Sequence, residues 1–239
     1  MQTAEKTVRE IALENPSSMR VFETLGIDYC CGGSKSLSDA CSAADIDPAR
    51  VIDLLGQAQQ EAGAPESDGW NELGLGELSR HIVEKHHGFV RSETPRIQSL
   101  LLKVVAKHGP VHSELPQIER LFAAIAQELA THMFKEEQVL FPYIERMEQA
   151  LLNAQPVPPA FFGTVKRPIA SMIAEHDDAG AMLAQIRDLS QGFAVPGDAC
   201  PTFVATYRAL ENFERDLHKH VHLENNILFP RAIEMEASS

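Results

Sequence analysis

A chain of 239 residues with 34 acidic against 21 basic side chains carries a formal net charge of −13. That charge argues against non-specific nucleic-acid binding and against docking on an anionic membrane, and no apolar run approaches the roughly 20 residues of a membrane helix. The length suits one or two domains, and the dominance of Leu, Ala, Glu and Gln with only short β-branched runs predicts an all-α fold.

The opening segment, Met1-Gln-Thr-Ala-Glu-Lys6, lacks the apolar core of a signal peptide, so a cytoplasmic location is expected. Cysteines stand at 30, 31, 41 and 200. Two of them are adjacent and the spacing is no secreted disulfide framework, which fits reduced thiols.

Residues 1–62 read as a small helical domain. Thr7 to Leu13 is amphipathic, and Asn15-Pro16-Ser17-Ser18 stops that helix and starts another. Met19, Val21, Phe22 and Leu25 give a short apolar helix that ends at Gly26, a natural left-handed cap. Asp28-Tyr29-Cys30-Cys31-Gly32-Gly33 forms the next turn. Ser36 can cap a helix through Ala44, and Asp47-Pro48 starts a further one. Vicinal cysteines before two glycines are expected to be exposed and locally flexible. Cys30 and Cys31 are therefore candidates for redox chemistry or iron transfer, set against a plainer role as small side chains filling a tight turn.

Residues 63–74 are rich in helix breakers and place a domain boundary. From 75 to 239 the pattern is four long helices in an up-down-up-down bundle. The first runs from about Leu75 to His108 with a kink expected at Pro95, and the second from about Leu115 to Leu152. The third spans Thr164 to Gln191, and the fourth starts at Pro201 and passes Pro230.

Alternating three- and four-residue steps assign the core stripes. They place His87, His132, His176 and His220 inward, one on each helix and at one level of an antiparallel bundle. Glu136 and Glu224 join them. His86, His218 and His222 fall on other stripes and are expected to face solvent, and His108 sits on the core stripe at the end of the bundle.

The stretch from His132 to Pro142 reads H-x-x-x-E-x-x-x-L-F-P and recurs 88 residues later from His220 to Pro230. A histidine and a glutamate four apart share one helical face, and the proline is expected to bend or end the helix. One core histidine is usually a hydrogen-bonded packing residue. Four beside two glutamates form a costly polar cluster unless cations satisfy it. Two divalent ions would do so, each taking two histidines and both sharing the glutamates. Nitrogen and oxygen donors suit iron, manganese or zinc, and carboxylate-bridged pairs in bundle cores favour iron or manganese.

With these residues in view, the chain resembles the RIC (repair of iron centres) family, di-iron proteins of bacterial iron–sulfur cluster repair. Asp28-Tyr-Cys-Cys-Gly-Gly33 is similar to the signature of that family's N-terminal domain. His132-Met-Phe-Lys-Glu-Glu-Gln-Val-Leu-Phe-Pro142, Glu175-His-Asp-Asp-Ala-Gly180 and Leu223-Glu-Asn-Asn-Ile-Leu-Phe-Pro230 are similar to segments of its hemerythrin-like domain. The resemblance implies two non-haem, carboxylate-bridged iron ions on His87, His132, Glu136, His176, His220 and Glu224. The chain departs from the oxygen-carrying hemerythrins at Gly180, where they carry a second histidine, and at Glu224, which follows its histidine by four residues where their aspartate follows by five. One ligand fewer fits a more open or more labile iron pair.

The resemblance further implies a stress protein that restores iron–sulfur clusters damaged by nitric oxide or peroxide, with damaged iron–sulfur proteins as partners and iron donation as its chemistry. Two other readings compete: a di-iron centre that binds or reduces nitric oxide, and a di-iron redox or gas sensor, with nitric oxide or oxygen as the small ligand. The N-terminal domain is near the size where one core is marginal. It is expected to dock on the bundle or to pair with its copy in a homodimer.

Overall fold

The computed structural model describes residues 2–15, 17–30, 32–61 and 69–238. Among them the secondary structure is helical, and two compact units are formed: residues 1–74 together with 221–231, and residues 75–220 together with 232–239. Cys31, Pro16 and linker residues 63–68 lie outside the described residues.

In the first unit short helices span Gln2–Glu5, Val8–Glu14, Ser18–Leu25, Leu37–Ala43 and Pro48–Glu61. Thr7 and Glu10 form a reciprocal capping box at the start of Val8–Glu14, which satisfies two N–H groups that the first turn leaves open. Gly26 ends its helix at φ 67°, the left-handed conformation that glycine adopts without cost. Phe22, Tyr29, Leu37, Cys41 and Val51 are at most 1 % exposed and form the centre of the core.

The cysteine turn is ordered by Asp28, whose carboxylate accepts from the backbone N–H of Cys30 at 3.0 Å and of Gly32 at 2.9 Å. Cys30 is buried, with Sγ 3.3 Å from Asp28 Oδ1. The exposure expected for this cysteine is thus corrected, because the side-chain turn of Asp28 folds the loop inward. A Cβ at Gly33 would stand 2.7 Å from the Tyr29 carbonyl oxygen, so no larger residue fits there.

Residues of the terminal helix complete this unit. Asn226 Nδ2 donates to the Tyr29 carbonyl at 3.1 Å and Asn225 Nδ2 to that of Cys30 at 3.4 Å. The Tyr29 ring meets His222 edge-on, centroids 5.6 Å apart. His222 is accordingly buried and not solvent-facing. Burial, with Arg9 nearby, lowers its pKa to about 4, so the ring is neutral.

In the second unit the first bundle helix comprises Leu75–Ile82, a π-helical turn Val83–His87, and Gly88–His108, which continues through Pro95. The second comprises Leu115–Lys135, a π-turn Glu136–Leu140, and Phe141–Leu152. Leu75–Ile82 packs on Phe141–Leu152 and Gly88–His108 on Leu115–Lys135, the pairing of an antiparallel hairpin. The third helix, Lys166–Leu189, packs on Leu115–Lys135. The fourth runs from Pro201 to Ala237 with a π-turn at Glu224–Leu228, and its residues 221–231 belong to the first unit.

The 88-residue duplication reaches the helix ends. Glu148 accepts from the backbone N–H groups of Leu75 at 2.5 Å and Gly76 at 2.9 Å. Its counterpart Glu236 accepts from the Val165 N–H at 2.8 Å and from the Thr164 hydroxyl. Each carboxylate answers the open donors and the positive end of a helix. Replacing Glu148 by alanine is therefore expected to cost about 1–2 kcal/mol; an unfolding midpoint in urea equal to that of the parent protein would contradict it.

Candidate metal centre

The three π-turns lie at the places where the predicted donors stand. In two of them the widened bond starts at a glutamate: Phe141 N–H donates to the Glu136 carbonyl, and Phe229 N–H to that of Glu224. A proline follows each, Pro142 and Pro230. Proline has no N–H to donate and its ring crowds the carbonyl four residues back. The wider turn absorbs that conflict, so the helix neither breaks nor ends there. The sequence carried this signal as a proline six residues after each glutamate.

A π-turn adds one residue to the local period, and this explains where the heptad stripes slip. Before the first π-turn the buried positions are Leu75, Leu78 and Ile82, and after it Val90, Ile97 and Leu101. Within the turn His86 and His87 are both buried. His86, expected to face solvent, instead contacts Asp216 through Nδ1 at 3.1 Å and stacks on His220 with centroids 5.7 Å apart and planes at 12°.

Two groups of four donors result, His87–Glu136–His220–Glu224 and His132–Glu136–His176–Glu224, and within each the donor atoms lie within 4.8 Å of one another. Both glutamates belong to both groups. All six side chains are buried, none more than 2 % exposed. Glu136 Oε2 stands 3.4 Å from His87 Nε2 and 3.3 Å from His132 Nε2, equidistant between the groups. The histidines pair through the same atoms: His87 Nε2 to His220 Nε2 is 3.2 Å and His132 Nε2 to His176 Nε2 is 2.9 Å.

Two carboxylates missed in the sequence fix the ring orientations. His87 Nδ1 contacts Glu137 Oε1 at 2.6 Å, and His132 Nδ1 contacts Glu175 Oε2 at 2.9 Å. A carboxylate on Nδ1 holds the proton there and leaves the Nε2 lone pair facing the cluster, the tautomer a metal requires. Their signal was the doublets Glu136-Glu137 and Glu175-His176, where a second charge flanks each inward residue. Arg91 pairs with Glu137, and Lys135 pairs with Glu175. Burial raises the Glu175 pKa, but bonds from Lys135 and His132 outweigh it and hold the carboxyl below its usual range.

The donor set fits a pair of cations. Imidazole lone pairs converging in a dry layer with shared carboxylates are repulsive among themselves and attractive only around positive charge. Bound there, a metal ion would supply Lewis acidity, and the six side chains would hold it. A surface pocket is lined by Val83, Glu137 and Phe141, and the last two contact His87. His108 lies away from this layer, as expected.

The comparisons with known proteins agree with this geometry. Residues 78–232 match the hemerythrin HHE cation binding domain, which makes the helical unit a hemerythrin-type, cation-binding bundle. Residues 4–59 match a domain of unknown function, DUF542. The iron-sulfur cluster repair protein YtfE of Musicola paradisiaca is 33% identical over 237 residues, 99% of this chain and 100% of the relative. The protein of the same name from Pectobacterium atrosepticum gives the same figures, and that of Salmonella newport is 32% identical over 234 residues, 98% and 99% of the two chains. The chain belongs to this iron-sulfur cluster repair family.

Replacing Glu137 or Glu175 by glutamine leaves a hydrogen-bonding group but removes the charge that sets the tautomer. Each change is expected to weaken metal binding by about 10–100-fold, read by competition with a chelator. Unchanged affinity in both variants would show that the rings are oriented by packing alone.

Proposed function

We propose that this protein is a cytoplasmic, non-haem di-iron protein that repairs iron–sulfur clusters damaged by nitrosative and oxidative stress, by donating iron to them. The observation that carries the reading is the sharing of Glu136 and Glu224 between two histidine pairs, in a chain whose full-length relatives bear the name of cluster repair. Its ligands are His87, His132, Glu136, His176, His220 and Glu224. Shared glutamates in a bundle core favour iron or manganese, and of the two, iron is the cargo that an emptied cluster site lacks.

Each residue has a definable task in such a transfer. The histidines hold neutral nitrogen donors toward the cargo, and the two glutamates neutralise part of its charge. Gly180 offers no donor one turn after His176, so the set is smaller than a full cage and releases its ions more readily. Glu137 and Glu175 keep Nε2 available while iron is absent, which prepares the site for reloading.

Cys30 and Cys31 are the thiols suited to pass iron onward. The Cys30 carbonyl is bonded by Asn225, the residue after Glu224, so the cysteine turn is tied to the helical segment that carries one of the shared glutamates. Residues 1–62 act as the transfer domain and 75–239 as the iron-holding domain, with iron–sulfur proteins as partners. Nothing in the geometry favours reduction of nitric oxide or gas sensing over this reading.

Metal analysis with Mössbauer spectroscopy is expected to give two coupled irons per chain, and transfer to an apo cluster protein should restore its absorption. Glu136→Leu or Glu224→Leu should lower iron occupancy sharply; two coupled irons retained in both variants would defeat the assignment. A chain lacking residues 1–70 is expected to keep its iron spectrum while losing much of its repair activity. Loss of iron on truncation would mean that the two domains share the site.

A further inference from the structure

A second group of donors lies far from the one described. His108 ends the first bundle helix, 21 residues beyond His87, roughly 31 Å along a helix at ~1.5 Å per residue. Gly109-Pro110 turns the chain, and the His112 N–H returns to the His108 carbonyl at 2.8 Å. Asp198 comes from the loop before the fourth helix. One donor atom from each of His108, His112 and Asp198 lies within 4.8 Å of the other two.

The local chemistry favours a ligand. His112 Nε2 faces both Asp198 oxygens, at 3.1 and 3.2 Å, while Nδ1 is held at 3.0 Å by Glu114. This repeats the arrangement of His87 on Glu137, with a carboxylate fixing one nitrogen and the other turned toward a donor cluster. Phe203, fully buried, meets both rings edge-on with centroids 5.3 and 5.2 Å away, so neither imidazole turns without repacking. His108 is 8 % exposed, and its Nε2 is buried without a hydrogen-bond partner among the described residues.

Cys200 stands two residues after Asp198, outside the three donors that approach within 4.8 Å of one another. The backbone N–H of Phe203, the His108 side chain and the Thr202 N–H lower its thiol pKa to about 7, which favours the thiolate, the form that binds metals. A protonated His112 between Asp198 and Glu114 would by itself make an ion pair joining two loops. That account leaves the buried His108 nitrogen and the neighbouring thiol without a role.

We propose that His108, His112 and Asp198 form a second, mononuclear site for a zinc-type divalent cation, toward which the Cys200 thiolate would move to become the fourth ligand. Tetrahedral zinc with bonds of about 2.0–2.3 Å needs donors roughly 3.3–3.7 Å apart, which a small closure of the existing group supplies. The H-x-x-x-H spacing, one carboxylate and one thiolate are donors of the borderline softness that zinc prefers. The ion would tie the turn between the first two helices to the loop that starts the fourth.

The test is a titration of the full-length, iron-loaded protein with cobalt(II), followed by displacement with zinc. One equivalent beyond the core ions is expected, with tetrahedral cobalt bands and a thiolate-to-cobalt charge-transfer band. His112→Ala and Asp198→Asn should abolish that equivalent with core iron and helicity unchanged. Cys200→Ser should keep the ion but lose the charge-transfer band, and Glu114→Gln should weaken binding by about 10–100-fold. Absence of an extra equivalent in the parent protein would reduce the group to an ion pair and overturn the proposal. So would identical titrations of the parent and the His112→Ala variant.

Discussion

Glu136 and Glu224 are fully removed from water. Burying a carboxylate costs several kcal/mol unless opposite charge and hydrogen bonds replace the lost solvent. Here the nearest groups are imidazoles, which balance the charge only when protonated or when a cation lies between them. The layer is therefore a poor core and a good cation site. The π-turns, the carboxylates on the ring nitrogens and the capped helix ends can all be understood as holding that costly layer in register. Placing a site on rigid helices in this way gives closer control than loops would.

The π-turn is the local device that makes the layer dense. An ordinary helix turns about 100° per residue and presents one or two residues per turn to a given side. With an extra residue in the turn, His86 and His87 both reach the interior, where His87 faces the donor cluster and His86 stacks on His220. At Glu136 and Glu224 the same device follows the inward glutamate and takes up the strain of the proline beyond it. A distortion that would be costly in a plain bundle helix thus recurs at three of the four places where donors stand.

Much of this was legible in the residues alone. The duplicated H-x-x-x-E-x-x-x-L-F-P and a strict helical period were enough to bring His87, His132, Glu136, His176, His220 and Glu224 to one level, because side chains spaced that way must share a face. The stripes failed where the period itself changed, which is why His86 was placed outside. They also failed where burial came from another part of the chain: His222 is covered by Tyr29, and Cys30 is folded inward by Asp28. Neither contact leaves a trace in local periodicity. Glu137 and Glu175 were missed for a different reason, since a carboxylate beside an inward residue looks like an ordinary solvated charge until its partner across the helix interface is known.

The repeat of 88 residues gives the bundle an approximate twofold symmetry. Each helical hairpin brings one histidine from its first helix and a histidine–glutamate pair from its second, so two identical hairpins would already build the entire donor layer. The chain is in this sense a homodimer sealed into a single polypeptide. Within one chain the halves need not be alike. Glu137 is a charged support for His87, whereas its counterpart, Asn225, is an amide that donates to the Cys30 carbonyl. Two identical hairpins could not treat their two faces differently, whereas in a single chain one face carries a charge and the other holds a cysteine turn.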